Sequence, residues 1–501
     1  MKPIHSKTLQ DLEFQTVLQH LSNRCNTELG KVAALTIKPF TDQDSIIKEL
    51  GQTSEYLASF SNENRIPNHG FDAITKELQL LEIENTILEV AGFKRIAHLC
   101  NTISLHKKFF KKFKDYYPLL FETIEPITES IHIPITINQI INKFGEIRDN
   151  ASIDLKRIRS DINVIRAKIN QSFGVALSRY QSADFLDDIR ESIVENRRVL
   201  AVKSMHRRKV KGTVMGYSKT GSIVYIVPEA TLQFSSELSN LEYEEKEEMQ
   251  RILLELTNSI RPDSKHLNTH QSFLIHIDVT AAKAKYAQEM NAILPNISKN
   301  RKLYLRDAYH PLLYLTNQTK KEKTWPQTIE LHHNNRIIVI SGPNAGGKSI
   351  TLKTIGLLQI MLQSGLLIPV HERSYVCFFD KILTDIGDNQ SIENHLSTYS
   401  YRLKNMNYFL KRCDSKTLFL IDEFGTGSDP ELGGALAEAF LDFLIVGLTI
   451  FIVVKAMNRL RTKAQDTNDQ TVVTPKDIEL LSDLKYLMEE QNQLLKSKVS
   501  N

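Results

Sequence analysis

Four cysteines (Cys25, Cys100, Cys377 and Cys413) are scattered over 501 residues with no CxxC pair among them. That scarcity excludes a disulfide framework or a zinc cluster as the organising device and fits a reducing cytoplasm. An excess of charge of one sign is also missing. The 63 Lys and Arg against 59 Asp and Glu leave a formal net charge of +4, too small to argue for a polyanionic partner from the total. The N-terminus, MKPIHSKTLQDLEF, lacks an apolar signal core, so nothing in it directs export. Uncharged apolar runs are short until residue 443. Hydrophobic residues at 41% with 24% charged are ordinary for a globular chain. At this length a single compact core is excluded, and two to four domains are expected.

What is there divides by texture. Residues 1–150 read as helices joined by short polar turns, with Leu9, Leu12, Phe14, Val17, Leu18 and Leu21 near helical spacing. HKKFFKKFKDYY (residues 106–117) interleaves lysine with aromatics, a pattern that nucleic acid would suit. Phe109, Phe110 and Phe113 share one helical face, however, which favours a core face with lysines turned to water. Residues 150–190 form a long charged helix with Leu155, Ile158, Ile162, Ile165 and Ile169 near a heptad rhythm. From Val199 to Val227 the sequence alternates between β-branched runs and Gly-bearing turns, predicting a small antiparallel sheet. Helix resumes over residues 237–261 and continues to about 292. One long helix leads out to a small sheet and another leads back. That tip carries Arg197, Arg198, Lys203, Arg207, Arg208, Lys209, Lys211 and Lys219 with no Asp or Glu among them. A localised, unbalanced basic cluster points to phosphate contacts and salt-sensitive affinity; a solvated loop is the bland alternative.

A second pattern carries chemistry. RIIVI (Arg336 to Ile340) is expected to be a hydrophobic strand, and it runs into SGPNAGGKSITLKTIGLL. Gly342, Pro343, Asn344, Ala345, Gly346, Gly347, Lys348 and Ser349 match the GxxxxGK[ST] phosphate loop, with an apolar-periodic helix following. Glycines let backbone N–H groups face phosphate oxygens, and the helix N-terminus adds positive potential. Lys348 is placed to reach the β- and γ-phosphates of ATP, and the Ser349 hydroxyl to sit on Mg²⁺. TLFLIDEFGTGSDP (residues 417–430) supplies the second half. An apolar strand ends in Asp422, expected to organise the metal shell, and Glu423, expected to orient or deprotonate the attacking water. Between them lies LTDIGDNQSIENHLSTYS, whose Ser397 and Thr398 are expected at the start of a helix; a γ-phosphate contact and a plain N-cap fit the spacing equally.

These residues resemble the MutS family of DNA-repair ATPases, within the ABC class, and its second bacterial branch, which lacks the mismatch-reading domain. The most specific segments are SGPNAGGKSITLKTIGLLQIMLQSGLLIP, DIGDNQSIENHLSTYS and LIDEFGTGSDPELGGALAEAF, and the resemblance covers residues 5–440. It implies a homodimer with composite ATP sites, in which Ser397 of one subunit completes the other's site and Ser428 and Asp429 lie on an inter-subunit loop. It also implies binding to double-stranded or branched DNA, with RNA as the alternative. Phe144-Gly145-Glu146 matches the Phe-x-Glu wedge of mismatch sensors, but it lies inside the long-helix segment and reads as structural, without mismatch recognition.

After LGGALAEAF the resemblance stops. No histidine-bearing switch follows, since the last histidine is His395, and the expected consequences are an incomplete ATPase core, no nuclease domain and weak or absent turnover. LDFLIVGLTIFIVVKAMNRLRTKAQ follows instead, in which residues 443–454 are twelve uncharged residues flanked by Lys455, Arg459, Arg461 and Lys463. With the heptad-spaced Leu481, Leu484, Met488 and Leu495, residues 441–498 resemble the second membrane helix and bundle helix of the large-conductance mechanosensitive channel. The chain then reads as a chimera joined near Phe440 to Phe443, made in the genome or in sequence assembly; the bland alternative is a buried helix and strand of the ATPase core. The expected fold is multidomain α plus α/β. It comprises a helical core (1–150), lever helices with a β clamp at 196–230 (151–295), a truncated ABC-class phosphate-loop ATPase core (296–440), and a C-terminal apolar helix with an amphipathic helix (441–501). The expected function is an ATP- and Mg²⁺-dependent nucleic-acid clamp in the cytoplasm. The alternatives are a membrane-anchored or mechanosensitive-channel-derived protein through residues 441–498, with membrane contact through 441–456, and a non-catalytic ATP-binding scaffold or RNA- or ribosome-binding ATPase.

Overall fold

A computed structural model describes residues 4–298, 301–342, 347–386, 406–409 and 411–422. The channel-like tail lies outside them. The chain divides into two compact units, one of residues 12–339 and 357–378, the other of residues 2–11, 340–356 and 379 onward.

Helices dominate the N-terminal half: α1 (Ser6–Asp11), α2 (Phe14–Ser22), α3 (Glu28–Leu35), α4 (Gln43–Ser59), α5 (Thr75–Leu81), α6 (Val90–Lys112), α7 (Pro118–Ile124) and α8 (His132–Ile140). Local chemistry sets their starts. The Thr27 hydroxyl accepts from Gly30 N at the head of α3, the Asp42 carboxylate from Ser45 N at the head of α4, and Pro118 opens α7. From α2 onward these helices belong to the first unit, with Phe93, Ile96, Leu99, Ile103 and Phe110 of α6 fully buried in its core. Phe109 stacks between Phe110, Phe113 and Tyr117, so the lysine-aromatic stretch serves packing.

Two long helices extend from this core, α9 (Ile153–Ser182) and α10 (Glu229–Ile260). Leu155, Ile158, Ile162 and Ile165 are buried along α9, the face its heptad rhythm predicts. Polar ties join the pair. Arg159 Nε meets Glu245 at 2.7 Å, Arg166 meets Glu242 at 3.0 Å, and the Ser152 hydroxyl, which caps α9, donates to Glu248 at 2.6 Å. Between them β1 (Leu186–Val194), β2 (Arg197–Lys203), β3 (Gly212–Tyr217) and β4 (Ile223–Pro228) form an antiparallel sheet in the order β1-β2-β4-β3. Glu195 and Asn196, both at positive φ, make the two-residue turn that the right-handed strand twist requires. Phe173, Ala176 and Tyr180 at the end of α9 pack on Leu200, Val202, Val224 and Ile226, seating the sheet along the helix.

The return path continues through α11 (Ser264–Glu289) into the core. A second sheet follows, built from β5 (Asn296–Ile297), β6 (Leu303–Ala308), β7 (Gln327–Leu331) and β8 (Tyr375–Val376) in the order β5-β8-β6-β7. α12 (Pro311–Lys320) joins β6 to β7, and α13 (Lys348–Gln363) precedes β8. The second unit holds two parallel strands, β9 (Lys381–Asp385) and β10 (Thr417–Ile421), in register from Thr417↔Lys381 to Ile421↔Asp385.

One expectation needs correction. Arg336 to Ile340 is not a strand: it pairs with no strand among the described residues, and Val339 is 77% exposed. A strand is a paired state, and its apolar composition alone cannot make one. Phe144 is 75% exposed on a tight turn in which Asn142 Oδ1 accepts from Phe144 N and Glu146 N. Among the described residues no helix is long and apolar enough to cross a membrane.

Candidate functional site

The nucleotide residues gather in the second unit. Ile382, Leu383, Thr384 and Asp385 of β9 are all buried, and in β10 the alternate residues Leu418 and Leu420 are, which anchors both strands. Both end in carboxylates, Asp385 and Asp422, and Asp422 N donates to the Asp385 carbonyl at 2.9 Å. Ligands of parallel sheets sit beyond the carboxyl ends of the strands, which is where these acids lie. In the same unit, Lys348 opens α13 and its ammonium donates to the Gly342 carbonyl, folding over the phosphate loop's first glycine. Gly347 has φ +80, a left-handed conformation that turns the chain into the helix, and its carbonyl accepts from Thr351 N at 3.0 Å. Ser349 is exposed in the first turn of α13. The loop lysine and the N-terminus of α13 thus put positive potential at one place.

Sequence reasoning missed the neighbours of this site. Thr8 on α1 donates to the Ile382 carbonyl at 3.2 Å, and Thr384 donates to Asp11 Oδ2 at 2.7 Å. Burial pushes the Asp11 carboxyl above the usual range, and the Asp385 charge adds to this. The Thr384 hydrogen bond and the ammonium groups of Lys7 and Lys353 work against it. Asp385 closes the apolar KILT run just as Asp422 closes LFLI, the one signal that could have flagged it. Nothing local marks Asp11. Of the expected ATP-site residues, Pro343, Asn344, Ala345, Gly346, Ser397 and Glu423 lie outside the described residues, as do Ser428 and Asp429.

In the first unit, the basic residues of the sheet sort into two sets. Arg198 is committed: it pairs with Glu191 at 2.6 Å and lies 4.3 Å over the Phe173 ring. Lys203 pairs with Asp184 at 2.9 Å. Arg197, Arg207, Arg208, Lys211 and Lys219 are exposed and make no ion pair among the described residues, and Lys209 lies 5.2 Å over the Phe185 ring. Arg207, Arg208 and Lys209 share a 3-10 turn over Ser204–Lys209. Ser204 N donates to the Ser222 carbonyl at 2.9 Å, tying this turn to the β3–β4 connection that bears Lys219.

Other chemistry is disfavoured. Burial pushes the Cys25 and Cys100 thiols up to about 12 and Cys377 up to about 11, so none of the three is a nucleophile near neutrality. Among the described residues no preassembled cluster of three His, Cys, Asp or Glu could hold a metal. The oxygen donors of Ser349 and Asp422 nonetheless fit Mg²⁺, which keeps its waters and takes one or two protein ligands alongside substrate phosphates.

The family model described as MutS domain V matches residues 338–489, a span that runs into the tail set apart above. Curated relatives named Endonuclease MutS2 align over most of the chain. That of Leuconostoc mesenteroides is 34% identical over 448 residues, 88% of this chain and 54% of the relative. That of Ligilactobacillus salivarius is 35% identical over 444 residues, 88% and 55% respectively. That of Staphylococcus carnosus is 32% identical over 445 residues, 88% and 56%. The chain spans about half the length of the curated relatives it matches.

Proposed function

We propose that this chain, a MutS-family protein of the MutS2-like kind, binds Mg-ATP at the phosphate loop of its second unit and grips duplex DNA with the basic tip of its first. The observation that carries the ATP reading is the folding of the Lys348 ammonium over Gly342 at the head of α13, in the unit whose parallel strands end in Asp385 and Asp422. Lys348 neutralises phosphate charge, and the α13 N-terminus presents N–H donors to phosphate oxygens. Ser349 and Asp422 hold Mg²⁺, which when bound screens the charge between phosphates. Glu423, next in the chain, orients the attacking water. Ser397, reaching from a second copy, completes each site in a homodimer. DNA is favoured for the tip because the relatives' printed name is that of an endonuclease.

Titration of the full chain with ATP and Mg²⁺ in a calorimeter tests this reading. Lys348→Ala is expected to weaken binding at least tenfold, and Asp422→Asn to remove its dependence on Mg²⁺. Undiminished affinity in Lys348→Ala sinks the assignment. Glu423→Gln is expected to keep ATP binding and to lower hydrolysis at least tenfold, and unchanged hydrolysis would remove its proposed role.

For the tail, residues 441–498, we propose a separate origin from the ATPase core, on the strength of the apolar run 443–454 and its flank Lys455, Arg459, Arg461 and Lys463. The extent of the family-model match to residue 489 speaks for the other reading, a helix and strand of the ATPase core. Carbonate extraction of cell membranes separates them: a chain retained in the pellet supports the channel-like tail, and a chain released to the supernatant removes it.

A further inference from the structure

Asp11 closes α1 and lies half-buried beside the end of β9. Its Oδ2 accepts from the Thr384 hydroxyl at 2.7 Å, and Thr8, three residues earlier, donates to the Ile382 carbonyl at 3.2 Å. Thr8 and Thr384 are both buried, so water competes little for these bonds. The pleat decides what they reach. Thr384 stands opposite Leu420 in the parallel register, and the Asp422 N–H extends the ladder one residue further to the Asp385 carbonyl. Side chains alternate along a strand, so Thr384, Leu420 and Asp422 share one face, the face that α1 covers. Among the described residues β9 and β10 pair only with each other, and a two-stranded ribbon is marginal unless something packs on it. The Asp11 carboxylate also feels the Lys353 ammonium of α13, five residues after Lys348. One side chain therefore bonds the strand beside the metal carboxylate and answers to the charge of the phosphate-loop helix.

We propose that Asp11 is a positioning residue for the Mg-ATP site, holding through Thr384 the strand end from which Asp422 meets the metal. This rests on the reading of the second unit as a Mg-ATP site and adds to it a residue from the first helix of the chain. Mg²⁺ accepts only near-octahedral geometry with ligands at about 2.0–2.1 Å, so a carboxylate displaced by about 0.5 Å loses its place in the shell. Phosphate binding is more tolerant, because Lys348 acts as a charge and the head of α13 offers several N–H groups at once. Loss of the Asp11–Thr384 bond is therefore felt by the metal before the nucleotide. Thr8 offers the Thr384 hydroxyl only a longer alternative, at 3.4 Å.

The test measures ATP affinity of the full chain over a series of Mg²⁺ concentrations and again in EDTA. Thr384→Val and Asp11→Ala are each expected to raise the Mg²⁺ concentration needed for half-maximal strengthening of ATP binding by about tenfold, with affinity in EDTA unchanged. The double variant should be no worse than either alone, as for the two ends of one bond. Thr384→Ser keeps the hydroxyl and should behave as wild type. Asp11→Asn keeps an acceptor of the same shape without the charge, and should shift the Mg²⁺ requirement the same way by about threefold. This milder variant decides the matter if the others fail to fold. A purely structural brace would lower affinity equally with and without Mg²⁺, or leave both unchanged, and either result in a folded variant overturns the proposal. A Thr384→Ser chain as impaired as Thr384→Val overturns it too. Undiminished ATP affinity in Lys348→Ala removes the reading of the site itself, whatever Asp11 does.

Discussion

His106 is fully buried against Phe110 and Phe273, with Nδ1 bonded to the Thr102 carbonyl at 2.8 Å and Nε2 without a partner. Burial lowers its pKa to about 4 from an ordinary 6.5. Between these values the unfolded chain takes a proton that the folded chain refuses. Stability is therefore whole above pH 6.5 and falls as pH drops through the window, by roughly 3 kcal/mol. His106→Gln should flatten the pH dependence of the urea midpoint between 6.5 and 4; an unchanged slope would place the acid sensitivity elsewhere. A second residue-scale constraint sits at Gly30, where a Cβ would lie 2.1 Å from Asp278 Oδ2. Asp278 is fully buried and cannot retreat, because it accepts from Asn26 N, Thr27 N, the Thr27 hydroxyl and His69 Nε2, all within 3.0 Å. Burial alone would raise its pKa, and these donors hold it below the usual carboxylate range. Gly30→Ala should cost more than about 2 kcal/mol, measured by chemical denaturation, since either the carboxylate loses donors or α3 shifts. Legibility at this scale followed chemistry that is local in sequence. Lys348, Ser349 and Asp422 are singled out by short patterns local in sequence, whereas Asp11 and Asp278 bond to residues more than two hundred positions away.

Helix α9 was legible as an element because heptad apolar spacing is a property of the segment alone, and α10 through its Glu- and Lys-rich run from residue 237, although it begins at Glu229. Their partnership is set by pairs that no single segment announces. Arg159 bonds the Ile147 carbonyl at 2.8 Å as well as Glu245, and Glu248 accepts from both Ser152 and Arg251. These donors, Arg251 first, pull the Glu248 carboxyl down to about 2. Ser152→Ala removes the α9 cap and should cost about 1 kcal/mol. A double-mutant cycle with Glu248→Gln should show coupling, and additive effects would mean that cap and ion pair act separately. The segment Arg336 to Ile340 failed for the opposite reason. Its β-branched composition was read as a hydrophobic strand, but strand formation depends on neighbours, and among the described residues it has none.

At the scale of the whole chain, the first helix belongs with strands made last. Thr8 and Asp11 bond to Ile382 and Thr384, 374 and 373 residues away, so the second unit cannot close until both ends of this span have been synthesised. Deleting residues 4–11 should lower the thermal midpoint of nucleotide-linked unfolding while leaving α2 to α8 protected from hydrogen exchange; loss of protection there would show that α1 supports the core as well. No sequence rule could have placed α1 here, because its six residues carry no pattern specific to a partner. The 30-residue length of α9 has a geometric consequence. At 1.5 Å per residue it runs about 45 Å, so a rotation of about 5° at its base sweeps the sheet through about 4 Å, close to the spacing of successive nucleotides along a DNA strand. For the proposed DNA grip, a rotation of that size would move the basic tip by one nucleotide of register.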